Sequence, residues 1–357
     1  SVDSTAVAIA GALGGGVAGA VSVAVIGANL DADSQKGLGD GNTASKADTQ
    51  MQRNEAGGEL DTADSAHLSG AKTTLATKSS GLGVASDMND STAGSKDKTL
   101  ASVGAGAQVK AGRDIDVTAT DRTQLDLTAT GAAGGFVGIG GAVGVGLTNS
   151  TTEAKVGSLA VLEANSDNVG GGNATVSARS LNVDTAGSTV TAGAGAGGVI
   201  GVSAAVSVLK DTSVTRAVIG DSARIERGDT LLVNAETMRK SSATTVGAAA
   251  GGLAIGASVA SATFGGTTSA FFESNVDVGK TAGKLVQDVT ISATDGSVAT
   301  ASATAGAAGI LSGSGAVALA EVTSGVSATM GSGAEVVAQD DVSVTAEATP
   351  ETRADAL

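Results

Sequence analysis

The sequence predicts an all-β chain folded as a parallel β-helix, or β-solenoid. Three observations carry that reading. A set of landmarks recurs at an interval of about 57 residues. Within the interval, Val, Ile and Leu alternate with Gly, Ala, Ser or Thr, which is the period of a strand. Finally, the 357 residues include only 4 Phe and no Trp or Tyr, so the core must be narrow and filled by aliphatic side chains.

The repeat has three landmarks. The first is an apolar residue followed by Gly: Val103-Gly104, Val156-Gly157, Ile219-Gly220, Val278-Gly279 and Met330-Gly331. The second is a short strand pattern: DIDVTATD at 114–121, then NATVSA at 173–178, TLLVNA at 230–235, DVTISA at 288–293 and DVSVTA at 341–346. Its central residues, Val117, Val176, Val233, Ile291 and Val344, are 59, 57, 58 and 53 residues apart and make the expected core ladder. Ile115, Val117 and Ala119 share one strand face, with Asp116, Thr118 and Thr120 on the other. The third landmark is a Gly/Ala run that ends in alternating Val.

These landmarks define about five degenerate repeats. A unit of that size divides into about three coils of roughly 18–20 residues, which predicts a rod about 70 Å long at 4.8 Å per coil. Glycine at the corners supplies positive φ.

In chain order, residues 1–28 read as Gly/Ala/Val coils. Residues 29–100 read as a polar, acidic insertion or loop, because apolar content falls and no period persists. Residues 101–349 carry the tandem repeats. The tail at 350–357 reads as a remnant or the start of a further coil.

Five stretches carry no charge, at 4–30, 127–152, 185–209, 241–272 and 296–320. Their length invites a membrane-helix reading, and Gly11, Gly15 and Gly19 have small-xxx-small spacing. The alternation of Val21, Val23 and Val25, or of Val143, Val145 and Leu147, argues for strands instead. Gly also costs about 1 kcal/mol per site in a helix, and no basic flank or aromatic belt brackets these runs. No membrane insertion is expected. Strands with two small apolar faces need a cover, either another copy or a folded-back part of the chain. Val143, Val145, Val206 and Val208 are the candidate self-association face.

Composition excludes much chemistry. The chain has no Cys and one His, His67, so thiol nucleophiles, Cys metal sites and a His-based triad lack material. Lys plus Arg is 21 against 36 Asp plus Glu, a formal charge of −15, so nucleic acid is not an expected partner. Asp31-Ala-Asp33 and Asp87-Met-Asn89-Asp90 resemble the start of calcium loops without the Gly and Glu that complete them. No cofactor is expected beyond weak Ca²⁺ binding by surface carboxylates. Gly-rich runs such as 193–198 lack the helix and acidic residue of a dinucleotide site. The Thr-x-Thr pairs Thr118/Thr120, Thr128/Thr130 and Thr189/Thr191 are too scattered to form one flat water-ordering array. A β-helix lyase would need Arg179, Arg224, Arg227 and Arg239 set against carboxylates, and their spacing shows no such cluster. Phe271-Phe272 places one ring outward. No signal-peptide pattern precedes the first apolar run.

With these segments in view, the chain resembles the repeat regions of large secreted bacterial filamentous adhesins, of the filamentous-haemagglutinin-like and leukotoxin-type families. The residues that carry the resemblance are AVIGDSARI at 217–225, LLVNA at 231–235 and GGVIGVSAAVSV at 197–208. The match spans 101–349 and part of 4–28. It implies a right-handed parallel β-helix, export to the cell surface or medium, and a role in adhesion or extracellular matrix. The expected function is therefore a non-enzymatic stalk or self-associating fibre, with host-cell, neighbouring-cell or matrix glycans as alternative partners. A membrane-active Gly-zipper assembly is the competing reading.

Overall fold

Parallel pairing between successive repeats organises the molecule. In the computed structural model, residues 2–27, 97–166 and 171–357 are described; among them all regular structure is strand, and every strand pairing is parallel. Two sheets, of 11 and 9 strands, contain all the strands.

One repeat makes one complete rung. The chain β6 (Leu125–Gly135), β7 (Val137–Thr148), β8 (Ser150–Val156), β9 (Val161–Glu163) and β10 (Ala174–Leu181) forms a circuit. The next repeat follows the same circuit as β11 (Ser188–Asp211), β12 (Val214–Ile219) and β13 (Arg224–Met238), hydrogen-bonded residue for residue to the first. Two later circuits use β14 (Lys240–Phe272), β15 (Asp277–Val278) and β16 (Val286–Asp295), then β17 (Val298–Thr329), β18 (Glu335–Val336) and β19 (Val342–Ala348). The first circuit is β1 (Val2–Ala12), β2 (Gly16–Ile26), β3 (Asp97–Val103), β4 (Gln108–Lys110) and β5 (Ile115–Arg122). A partial sixth begins with β20 (Glu351–Ala356), which pairs with β17.

This corrects the expectation of three coils per repeat. Thr191 pairs with Thr128 and with Thr244, so one step along the stack consumes a whole repeat. The stack of five full rungs is about 24 Å tall at 4.8 Å per rung, not 70 Å. The reason lies in the Gly/Ala runs. They do not wind into extra coils. Each runs outward as one arm, reverses, and returns as a second arm packed on the first.

Each rung thus has two parts. Three short walls, exemplified by β8, β9 and β10, enclose one core of Ala154, Val156, Leu162, Ala174, Val176 and Ala178. The two arms, exemplified by β6 and β7, stack over the rungs into a double-layered fin. Its inner faces taper. Leu125, Leu127, Val190 and Leu209 fill the base, Ala129, Ala142, Ala192 and Ala205 the middle, and Gly the region toward the tip. Packed sheets normally lie about 10 Å apart. Here a Cβ added at Gly131 would collide with the Gly141 carbonyl, and one at Gly140 with the Gly195 carbonyl. The arms approach to backbone contact, and only Gly tolerates it. Gly135, at φ 146°, makes the reversal at the tip of the second rung.

The walls turn at a different stacked position. Gly106, Leu159, Ser222, Asn275 and Gly333 all have positive φ, between 56° and 72°. The N–H of Leu159 donates to Asp221, Ser222 to Ser274 and Asn275 to Ser332, so each turn is held by the next. The Val-Gly landmark lies just upstream. There Gly157 and Gly220 serve close stacking, since a Cβ at either would strike the backbone of the turn before it. Val278-Gly279 is not one of this set: Val278 stacks on Ile225 in the second wall, and Phe272 occupies the position equivalent to Ile219.

Residues 97–100 belong to β3 and pair with β8, so the rung resumes inside the segment expected to be an insertion. The remainder of that expectation, with His67, Asp31, Asp33, Asp87, Asn89 and Asp90, lies outside the described residues. The tail at 351–356 is rung, not remnant.

Candidate functional site

Val117, Val176, Val233, Ile291 and Val344 stand in one ladder on the inner face of the third wall. Val176, Val233 and Ile291 are fully buried, whereas Val344 in the last full rung is half-exposed. Outside the ladder, Thr118, Ser177, Asn234, Ser292 and Thr345 form a polar one, with Ser292 donating to Asn234 at 2.8 Å.

The five charge-free runs converge. Each supplies the outbound and return arms of one rung, so in the five full rungs the fin carries no charged side chain from above its base to its tip; β20 adds Asp355 beside Ser302 at its edge. The other charges lie at the fin's base and on the walls. Local sequence explains the segregation: toward the tip the inner arm positions are mostly Gly or Ala, which lets the arms close, and the outer positions of the same strands are small, hydroxyl or aliphatic residues.

Val143, Val145, Val206 and Val208 are brought together on the outer face of the return arm. Val143 pairs with Val206 and Val145 with Val208. The first pair belongs to a ladder of five valines: Val21, Val143, Val206, Val259 and Val317. Of the four candidates, Val145 and Val206 are buried in the single chain, at 1% and 6% exposure, and Val143 and Val208 are half-buried. The outer face of the outbound arm differs. It is open, and carries Val7, Ile9 and Val246 at 62%, 80% and 47% exposure.

That open face also holds hydroxyl ladders. Thr5, Thr128, Thr191, Thr244 and Ser302 are in register across the rungs. Thr128 and Thr191, which look scattered in the sequence, are therefore direct neighbours, while Thr118 and Thr120 lie on the third wall. At the fin tip stand Leu13, Phe136, Val199 and Ile310, all exposed at successive reversals. Sequence reasoning missed this ridge. Its signal was one large apolar residue within four of the five charge-free runs; the fourth rung has Gly252 there.

A buried polar band separates the fin core from the wall core. Arg239, 1% exposed, donates from Nη1 to Ser213 Oγ at 2.6 Å and pairs with Asp211 Oδ2 at 3.0 Å. Ser150 joins Asp121 to Ser213, at 3.0 Å each. Thr237 contacts Thr215 at 2.9 Å and Thr268 at 2.7 Å. Asp-x-Ser/Thr corners recur here: Thr123 donates to Asp121, Ser213 to Asp211 and Ser297 to Asp295. Short side chains that bond two residues ahead set the bend where wall passes into arm. The repeated Asp-x-Ser/Thr spacing was visible in the sequence and was not used.

A second charged cluster joins rungs at the second wall. Lys284 bridges Glu163, at 3.1 Å, and Glu226; Lys110 also pairs with Glu163, at 3.0 Å. The Lys110 hydrogen bond holds Glu163 below the usual glutamate range, and the Lys284 bond does the same for Glu226. Lys284 is raised in turn, chiefly by Glu226. The four arginines considered for lyase chemistry are not brought together: Arg179 pairs with Glu236, Arg224 with Glu226, Arg239 with Asp211, and Arg227 donates to the Gly283 carbonyl. Phe272 is buried, and Phe271 faces outward under Arg216, whose guanidinium lies 5.3 Å from the ring centroid.

Among the described residues no group of three or more acidic or His side chains is placed to hold a metal. No helix among them is long and apolar enough to cross a membrane. Comparison with protein-family models, with curated proteins and with solved structures finds no match.

Proposed function

We propose that this chain is a structural β-solenoid segment of an extracellular filament or adhesin stalk, which associates laterally with copies of itself and performs no catalysis. One observation carries the reading: five separate charge-free runs stack into a single charge-free fin on an otherwise acidic body. A solenoid with only core-filling needs has no use for arms that project beyond its walls. The arms add outer surface of small apolar and hydroxyl groups, suited to another protein surface of the same kind. The absence of Cys suits an exported chain.

Each rung stacks on its neighbours through the same parallel ladders, so stability is additive along the axis, as a stalk requires. Electron microscopy of the chain in detergent-free buffer tests the assignment. Rods of uniform width that bundle side by side support it. Particles that stay single at all concentrations overturn lateral association. Particles that form only in detergent favour a membrane-active assembly instead.

A further inference from the structure

We infer that the open outer face of the outbound arms is where a second copy of this chain docks, as a two-fold dimer packed fin against fin. This rests on the reading of the chain as self-associating and names the surface responsible. The return face offers less: Val145 and Val206 are buried in the single chain, and its exposed side chains, Val17, Val317 and Leu319, lie in the first and last full rungs.

The outbound face has the properties a dry contact needs. From the ladder of Thr5, Thr128, Thr191, Thr244 and Ser302 to the tip, no outward position of the five full rungs is charged; Asp355 continues that ladder in the partial sixth rung. Val7 and Ile9 in the first rung and Val246 in the fourth stand exposed. Between them Gly193, in the third rung, has nothing closer than Thr130 at 3.8 Å and leaves a trough. Ridge and trough on one surface make it self-complementary, which is what a two-fold contact demands. With the axis along the strands, Val246 of one copy seats over Gly193 of the other.

The area is sufficient. Seating the fourth rung over the third overlaps four full rungs, so about nine residues of arm at 3.3 Å over four rungs at 4.8 Å give about 570 Å² per copy, above the roughly 500 Å² per partner that a specific interface needs. The arms already pack dry on their inner faces through the same residue types. A second copy extends that packing by one layer, as paired sheets do in steric zippers. A lipid surface fits less well. Interfacial faces carry Trp, Phe or Leu beside Lys and Arg; this one has none of them, and the chain is acidic.

Sedimentation velocity over a range of concentrations decides the matter. The unaltered chain is expected to dimerise. Val246→Asp with Ala248→Asp should weaken the dimer at least a hundredfold and leave the melting temperature unchanged, since both side chains face solvent in the single copy. Val317→Asp, on the return face, and Phe136→Ser, at the tip, should leave it intact. Because Gly193 and Val246 are also neighbours within one chain, the two cysteines are placed in separate chains: mixing the Val246→Cys and Gly193→Cys single variants should give a disulfide between the two chains, in a protein without native cysteine. A dimer that survives the outbound pair but is lost in Val317→Asp or Phe136→Ser overturns the outbound face and keeps self-association. An unaltered chain that stays monomeric, or that binds neutral vesicles instead, overturns self-association itself.

Discussion

Arg239 and Asp211, 28 residues apart in the chain, meet at 3.0 Å across the boundary between the walls and the fin. Arg239 ends the third wall of its rung, and Asp211 ends the preceding return arm. Their contact therefore ties both strands that lead into the fin. Asp121 lies 4.0 Å from the same guanidinium and extends the tie toward earlier rungs.

Removing one partner should be costly. Arg239→Leu leaves Asp211 buried without its cation and should destabilise the fold by about 3–5 kcal/mol. Arg239→Leu with Asp211→Leu should recover at least half of that loss. Urea unfolding of the single and double variants measures both. Equal losses in the two would show that the pair acts through packing, not charge.

The fin glycines separate by face: Gly131 points inward and Gly134 outward on the same strand. Gly131→Ala drives a Cβ into the Gly141 carbonyl, whereas Gly134→Ala, three residues on, meets nothing within 4 Å. The first should cost about 1–3 kcal/mol, and the second should stay within about 0.5 kcal/mol of the unaltered chain. Chemical denaturation of the two variants checks the difference, and similar values would mean that the arms do not touch.

The Glu163–Lys284–Glu226 cluster fixes a pH window. Both glutamates are held below the ordinary value of 4.5, so their contribution is complete above it and is lost as pH falls through the depressed values. Lys284 is raised above 10.5, so the same contribution is complete below that value and is lost as pH rises through the raised one. Melting temperature should hold between about pH 4.5 and 10.5 and fall at both ends. Lys284→Met should flatten the acid limb most, measured against a background variant such as Lys240→Met. Lys110 and Arg224 also face the glutamates, so part of that limb should remain.

A whole-rung deletion tests the repeat itself. Lys240 pairs with Val298, so removing residues 240–297 sets the fifth rung directly on the third in register. The shortened chain should fold cooperatively, with a smaller denaturant slope in proportion to its lost surface. Deleting a third of that length instead should abolish cooperative unfolding. Survival of the shorter deletion would restore the three-coil repeat.

Much of the strand pattern was legible in the residues. Alternation placed Val143, Val145, Val206 and Val208 on one face, and the spacing of Val117, Val176, Val233, Ile291 and Val344 put them at equivalent positions. Two things were not legible. The positive-φ turn residues Leu159, Ser222 and Asn275 share no side-chain type, because stacking in the tertiary structure imposes their backbone. The reversals at Phe136 and Ile310 were marked only by a large side chain in a run of small ones, because a reversal inside an uninterrupted strand pattern needs only one permissive Gly.

The sequence by itself determined the period, the strand faces and the charge-free character of five segments. The tertiary structure alone decided that one repeat is one rung, and that the charge-free segments leave the walls as a fin. Period two says which side of a strand is apolar, but not which other strand lies against it. Gly and Ala make that ambiguity greatest, since a face of small residues fits any other small face. Only the closed circuit, with Gly131 against Gly141 and the polar band of Arg239 and Asp211 at its base, selects among those partners.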